Sequence, residues 1–228
     1  MTRQHRLRIA ALALALTVSA AANASLIVSA SVGGAPLGVN YVNFDSLALG
    51  SAGGTSGGIG VSFNPDGGVV NGSLSGYYAA PYLSNGNGTL FGDSTNGPDT
   101  TNYLSTGVGS VTLTMPGEEQ YLGLLWGSVD AYNTLSFYNG GTLVGSIIGT
   151  DITAGANGDQ GINGTYYVNV NSTLQFNKVV ASSSQYAFEF DNVAYNPTEV
   201  NVPEPATLAL MGFGLLGAGL ARRRRLTR

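Results

Sequence analysis

Between residues 25 and 197 no stretch keeps a 3.6-residue apolar period. Short alternating or β-branched runs recur instead, separated by clusters of Gly, Asn, Ser and Pro. Such a chain has no helical stripe to bury, but it can bury one face of many short strands. Val111, Leu113 and Met115 alternate with Ser110, Thr112 and Thr114. Tyr186, Phe188 and Phe190 alternate with Ala187, Glu189 and Asp191, which predicts a strand with one apolar face and one acidic face turned to solvent. Leu135–Tyr138 and Thr142–Val144 flank Asn139-Gly140-Gly141, a predicted hairpin because Asn-Gly suits a type I′ turn. Further strands are predicted at 26–32, 39–44, 59–63, 120–129, 165–170 and 174–181. About ten strands in one domain predict an all-β fold, a single jelly-roll-like β-sandwich. An open β-solenoid is the alternative for so glycine-rich a chain (34 Gly in 228 residues), but no fixed internal period supports it.

The two ends follow other rules. Thr2 to Arg8 form a basic segment, Ile9 to Ala22 an apolar one, and Ala22-Asn23-Ala24 an A-x-A site. That order predicts a secretory signal peptide over 1–24, cleaved after Ala24 by signal peptidase. At the far end Pro203-Glu204-Pro205 precedes an apolar run over 206–221 and then Arg222, Arg223, Arg224 and Arg225. Sixteen residues at ~1.5 Å rise make about 24 Å of helix, short of a ~30 Å hydrocarbon core. The arginines after it would stay on the cytoplasmic side. By physics alone the segment suits a plain tail anchor or a temporary one. The predicted organisation is a signal peptide (1–24), a β-sandwich (25–197), a linker (198–205), a transmembrane helix (206–221) and a cytoplasmic tail (222–228).

This division changes the meaning of the charge. The chain carries nine Lys and Arg against thirteen Asp and Glu. Eight of the nine cations lie in the two ends, so the exported part keeps Lys178 against twelve carboxylates, a net charge of −11. It also has no His, Cys or Arg. Histidine-based catalysis and thiolate metal sites are therefore absent from it. One cation cannot neutralise a phosphate backbone, which excludes nucleic acid as a partner.

Several residue groups remain as candidates. The stretch from about 50 to 105 is loop-rich and carries Tyr77, Tyr78, Tyr82 and Tyr103. With Trp126, these rings could stack on sugars or simply fill the core under long loops. Asp130 and Asn133 are predicted to form a turn whose side chains cap backbone amides, with a ligand-binding role as the alternative. Ca²⁺ is the one cofactor the composition permits. Asp45 and Asp191 would share an ion if the terminal strands lie side by side, and Asp151, Asn157 and Asp159 offer oxygen ligands in one loop. Otherwise these carboxylates only keep a Gly/Ser-rich surface soluble. A glycan hydrolase needs only two carboxylates, drawn from Glu118, Glu119, Asp130, Glu189 and Asp191. Glu189 and Asp191 would sit about 7 Å apart on one strand face, while Glu118-Glu119 reads as an exposed turn. No catalytic group is predicted.

Pro203-Glu204-Pro205, the apolar run and the terminal arginines resemble the PEP-CTERM sorting signal. That resemblance implies processing by an exosortase, a membrane-embedded cysteine transpeptidase of Gram-negative bacteria. It also implies loss of the helix and arginines, and delivery to the cell surface or extracellular matrix. Trp126 to Asn133, Phe137-Tyr138 and Phe188 to Val193 resemble segments of exosortase-dependent surface proteins, which brings no activity with it. The resemblance, with the sparse chemistry of the body, suggests a non-enzymatic surface or matrix protein associated with exopolysaccharide or biofilm. The other reading is a secreted glycan-binding module, with or without Ca²⁺.

Overall fold

The computed structural model describes residues 25–31, 34–93 and 96–202. The predicted signal peptide and everything from Pro203 onward, transmembrane helix included, lie outside the described residues. Among those described, no helix is long and apolar enough to cross a membrane.

The body is all-β, as its alternation predicts. The first strands are β1 (Leu26–Ser31), β2 (Asn40–Val42), β3 (Gly54–Ser56), β4 (Ile59–Asn64) and β5 (Gly68–Asn71). Next come β6 (Tyr82–Leu83), β7 (Gly97–Pro98), β8 (Asn102–Thr106) and β9 (Gly109–Gly127). The chain closes with β10 (Asn133–Asn139), β11 (Thr142–Ile148), β12 (Tyr166–Ser183) and β13 (Phe188–Asn196). The predicted hairpin is β10–β11, but Asn139 pairs with Thr142, so the two-residue turn is Gly140-Gly141. With only Gly140 at positive φ (+56°), it is not the expected type I′ Asn-Gly turn.

Two long strands build one antiparallel sheet in two leaves. In the first leaf, residues 109–114 of β9 pair with β4 on one edge and with residues 178–183 of β12 on the other. β10 and β11 continue that leaf beyond β12. In the second leaf, residues 121–127 of β9 lie between the start of β12 and β13. β1 extends it beyond β12, and β2, β8 and β5 beyond β13.

Each long strand changes phase as it passes between leaves. Val111, Leu113 and Met115 point into the core at odd positions, whereas Leu122, Leu124 and Trp126 do so at even ones. In β12 the switch from Val168 and Val170 to Val179 and Ala181 coincides with register breaks on either side of Phe176. A bulge shifts the side-chain period by one residue, so the same strand can face one core from both sides. Pro116-Gly117-Glu118-Glu119 is therefore not the exposed turn its composition suggests. Glu119 lies within β9 opposite Phe176 and is buried, while Glu118 is exposed and accepts from the Asn139 and Asn177 amides at 2.9 Å. The pairs predicted as separate strands on either side of 116–119 and 171–173 are two continuous ones.

The outer face of the second leaf is covered as well. Tyr121, Leu125, Tyr167 and Ala194 meet Leu83 and Phe91 of the connection between β5 and β8 in a second apolar cluster. The connection crosses β9 closely at Gly127, where a Cβ would lie 3.0 Å from Pro81 Cα. The least patterned stretch of the sequence is thus a folded cover, and it decides what becomes of the acidic face of β13.

Candidate functional site

β13 turns Phe188 and Phe190 into the main core, where Phe188 stacks on Trp126 with ring centroids 4.3 Å apart. Alternation sends Glu189 and Asp191 to the opposite side. That side was predicted to face solvent, but the 72–101 connection lies over it and both carboxylates are buried, Glu189 at 2% exposure and Asp191 at 0%. The two acids then part company.

Glu189 faces an open cleft of about 200 Å³. Its Oε1 accepts from the Ala79 amide at 2.8 Å and its Oε2 from the Ser128 hydroxyl. Burial pushes the Glu189 carboxyl up to about 7, against the opposing pull of these two donors. Ser128 holds a positive φ of 38°, and Asp130 beside it accepts from the Tyr132 hydroxyl. Burial raises the Asp130 carboxyl too, with that hydrogen bond opposing. Asp130 and Asn133 do form the predicted turn, through Asn133 N donating to Asp130 O at 3.2 Å. Their side chains do not cap local amides, however, since Asn133 Nδ2 reaches across to Ala187 O at 3.1 Å.

The rim of the cleft is aromatic. Tyr77 and Tyr186 meet edge to face at 5.2 Å and are 54% and 45% exposed. They also border a second cleft of about 280 Å³ that includes Val69 and Gly107, so the pair forms a ridge between two depressions. Tyr78 is half-buried behind them against Tyr103. Three predicted sugar contacts do not belong to this rim. Tyr103 and Trp126 are fully buried core rings, out of reach of a glycan. Tyr82 is half-buried and pairs with Pro98 in the β6–β7 ribbon. Tyr186 escaped sequence reasoning because it continues the apolar alternation, yet β13 begins only at Phe188.

Asp191 faces a different group. Its carboxylate lies with those of Asp93 and Asp99 so that one oxygen from each falls within 4.8 Å of the others, and all three residues are buried. Both Asp191 oxygens, Asp99 Oδ2 and Asn192 Oδ1 have no hydrogen-bond partner. Asn192 Nδ2 donates to Asp93 Oδ2 at 2.9 Å, and Thr101 N donates to Asp99 Oδ1 at 2.8 Å. Asn192 sits at φ +52°, where β13 slips register against β9 between Asp191 and Ala194. Burial holds Asp191 well above the usual carboxylate range, reinforced by repulsion from Asp99 and, less, from Asp93 and Asp45, with the nearby Asn192 backbone N–H pulling the other way.

Of the early strands β2 lies beside the last strand, β13, whereas the first, β1, pairs with β12. The expected Asp45–Asp191 pair is altered, because Asp45 is exposed and its oxygens accept from Asn102 N and Asn43 Nδ2, each at 3.0 Å. The carboxylates sharing a site with Asp191 come from the cover. In the 149–161 loop, Asp151 caps Ile148 N at 2.9 Å and Asp159 caps Gly161 N at 2.7 Å, so these side chains serve their own turns. Nothing in the sequence marked Asp93 and Asp99, which stand in the region of weakest pattern.

The class that emerges is an acidic, all-β exported protein. The PEP-CTERM protein-sorting motif matches residues 201–225, and with it the chain carries the signal for exosortase-dependent extracellular sorting. No curated protein and no solved structure matches the chain.

Proposed function

We propose that the exported body is a non-enzymatic surface or matrix protein that associates with neutral exopolysaccharide of a biofilm. The observation that carries this is the exposed Tyr77–Tyr186 ridge between two open clefts. Tyrosine offers a flat apolar face for a pyranose ring and a polar tip for its hydroxyls. Asp130, Tyr132 and Gln160 beside the ridge supply hydrogen-bonding groups. A body of net charge −11 repels anionic polymers, so the fitting partner is uncharged.

A non-enzymatic role is supported by the state of the carboxylates. Both Glu189 oxygens are engaged by structural donors, and Asp191, its expected partner in hydrolysis, lies in a separate buried group. The two-leaved sheet, with β1 beside β12 and β2 beside β13, supports a jelly-roll-like sandwich. Signal peptidase and exosortase would act on the ends during export, leaving this body at the surface or in the matrix.

The test is binding to a panel of neutral and anionic polysaccharides, by array and by affinity electrophoresis. The wild type should be retarded by a neutral polymer, and Tyr77→Ala with Tyr186→Ala should weaken that binding at least tenfold without changing Tm. Equal binding by the double variant, or binding confined to anionic polymers, overturns the reading.

A further inference from the structure

Three buried carboxylates converge where the described residues place no cation. Lys178, the one basic residue between 25 and 202, lies over the Tyr138 ring in the first leaf at 4.7 Å, whereas Asp191 belongs to the second. Like charges at such separations repel strongly in a low-dielectric interior, and each orphaned buried oxygen adds a desolvation cost. Asp191 is the sharpest case, with no exposure and no partner for either oxygen. Adjacent to it, Asp99 Oδ2 and Asn192 Oδ1 are orphaned in the same way.

We infer that Asp93, Asp99, Asp191 and Asn192 bind one Ca²⁺ ion. The donors are all hard oxygens, three carboxylates and an amide carbonyl, and residues 25–202 contain no His or Cys. That set selects Ca²⁺, Mg²⁺ or Mn²⁺ over zinc and copper. Ca²⁺ takes 6–8 oxygens at about 2.3–2.6 Å in adaptable geometry, so its ligand atoms can lie up to about 5 Å apart. The three carboxylates fit within that span. Mg²⁺ demands a tighter octahedron, with opposite ligands only about 4 Å apart.

The ion's effect follows from where its ligands come from. Asp93 and Asp99 belong to the cover, and Asp191 and Asn192 to β13, so one ion clamps the cover onto the sheet. The bulge at Asn192 is what sets two successive side chains toward that clamp. This inference stands independently of polysaccharide binding.

The test uses the full chain, stripped with EDTA and titrated with CaCl₂ or MgCl₂ by calorimetry and thermal unfolding. One Ca²⁺ should bind per chain, more than tenfold tighter than Mg²⁺. Tm should rise by roughly 5–10 °C once free Ca²⁺ exceeds Kd a hundredfold. Asp191→Asn and, separately, Asp99→Asn should abolish the Tm response, and each should raise the Tm of the metal-free protein by relieving repulsion. A wild-type Tm indifferent to Ca²⁺, or Ca²⁺ binding retained in both variants, overturns the inference. A Ca²⁺-independent cluster held by protons would show itself as a wild type that binds no Ca²⁺ and gains stability on acidification, which also overturns it.

Discussion

The Ser128 hydroxyl donates to Glu189 Oε2 from the end of β9, while the Ala79 amide of the cover holds Oε1 at 2.8 Å. One carboxylate thereby ties the sheet to the segment lying over it. The tie is made by a group that burial holds mostly protonated below neutrality.

Glu189 makes stability depend on pH with a definite sign. Its folded pKa of about 7 exceeds the ordinary value of 4.5, so the native state binds more protons between these limits. The Glu189 contribution is fully present below about pH 4.5, falls as pH rises through 7, and is then constant, a swing of about 3 kcal/mol. Glu189→Gln should flatten that part of the profile and raise stability at pH 8. Urea denaturation across pH 4–8 measures it, and an unchanged slope in the variant would refute the assignment.

Trp126 is tested as a core ring rather than a sugar platform. Trp126→Ala removes the stacking partner of Phe188 and should cost about 3–5 kcal/mol. Trp126→Phe should cost less and leave polysaccharide binding unchanged. A loss of binding without loss of stability would put the ring back in a binding role.

Gly149 packs its Cα against the Asp130 turn, where an added Cβ would meet Asp130 O at 2.0 Å. Because the obstacle is backbone, Gly149→Ala should displace the turn and cost roughly 1–3 kcal/mol. It should also weaken polysaccharide binding. Chemical denaturation and affinity electrophoresis on the same sample read both.

Processing has its own measurement. Intact-mass analysis of the surface form should show a start at Ser25 and loss of everything from about Ala206. Arg222 to Arg225 persisting in the surface product would contradict exosortase processing.

Much of the fold is written locally. Val111, Leu113 and Met115 announce a strand because a pleated backbone alternates its side chains, and Gly140 marks a hairpin because its φ is positive. Pro116-Gly117 misleads for the same reason. The dipeptide signals a break in the local pattern but cannot say whether the chain turns back or bends within a continuing strand. Tyr186 keeps the apolar alternation and still stands outside β13, since alternation does not record where pairing begins.

The sequence by itself determined that the body is built of strands, that a PEP-CTERM sorting motif follows it at 201–225, and that residues 25–202 lack His, Cys and Arg. Those properties depend on residue type and on neighbours a few positions away. Only the tertiary structure decided that the acidic face of β13 is interior, that Tyr77 meets Tyr186, and that Asp93 and Asp99 converge on Asp191. Each of these contacts joins residues about 90 or more positions apart through the 72–101 cover. Local patterning carries no record of which face such a cover will choose.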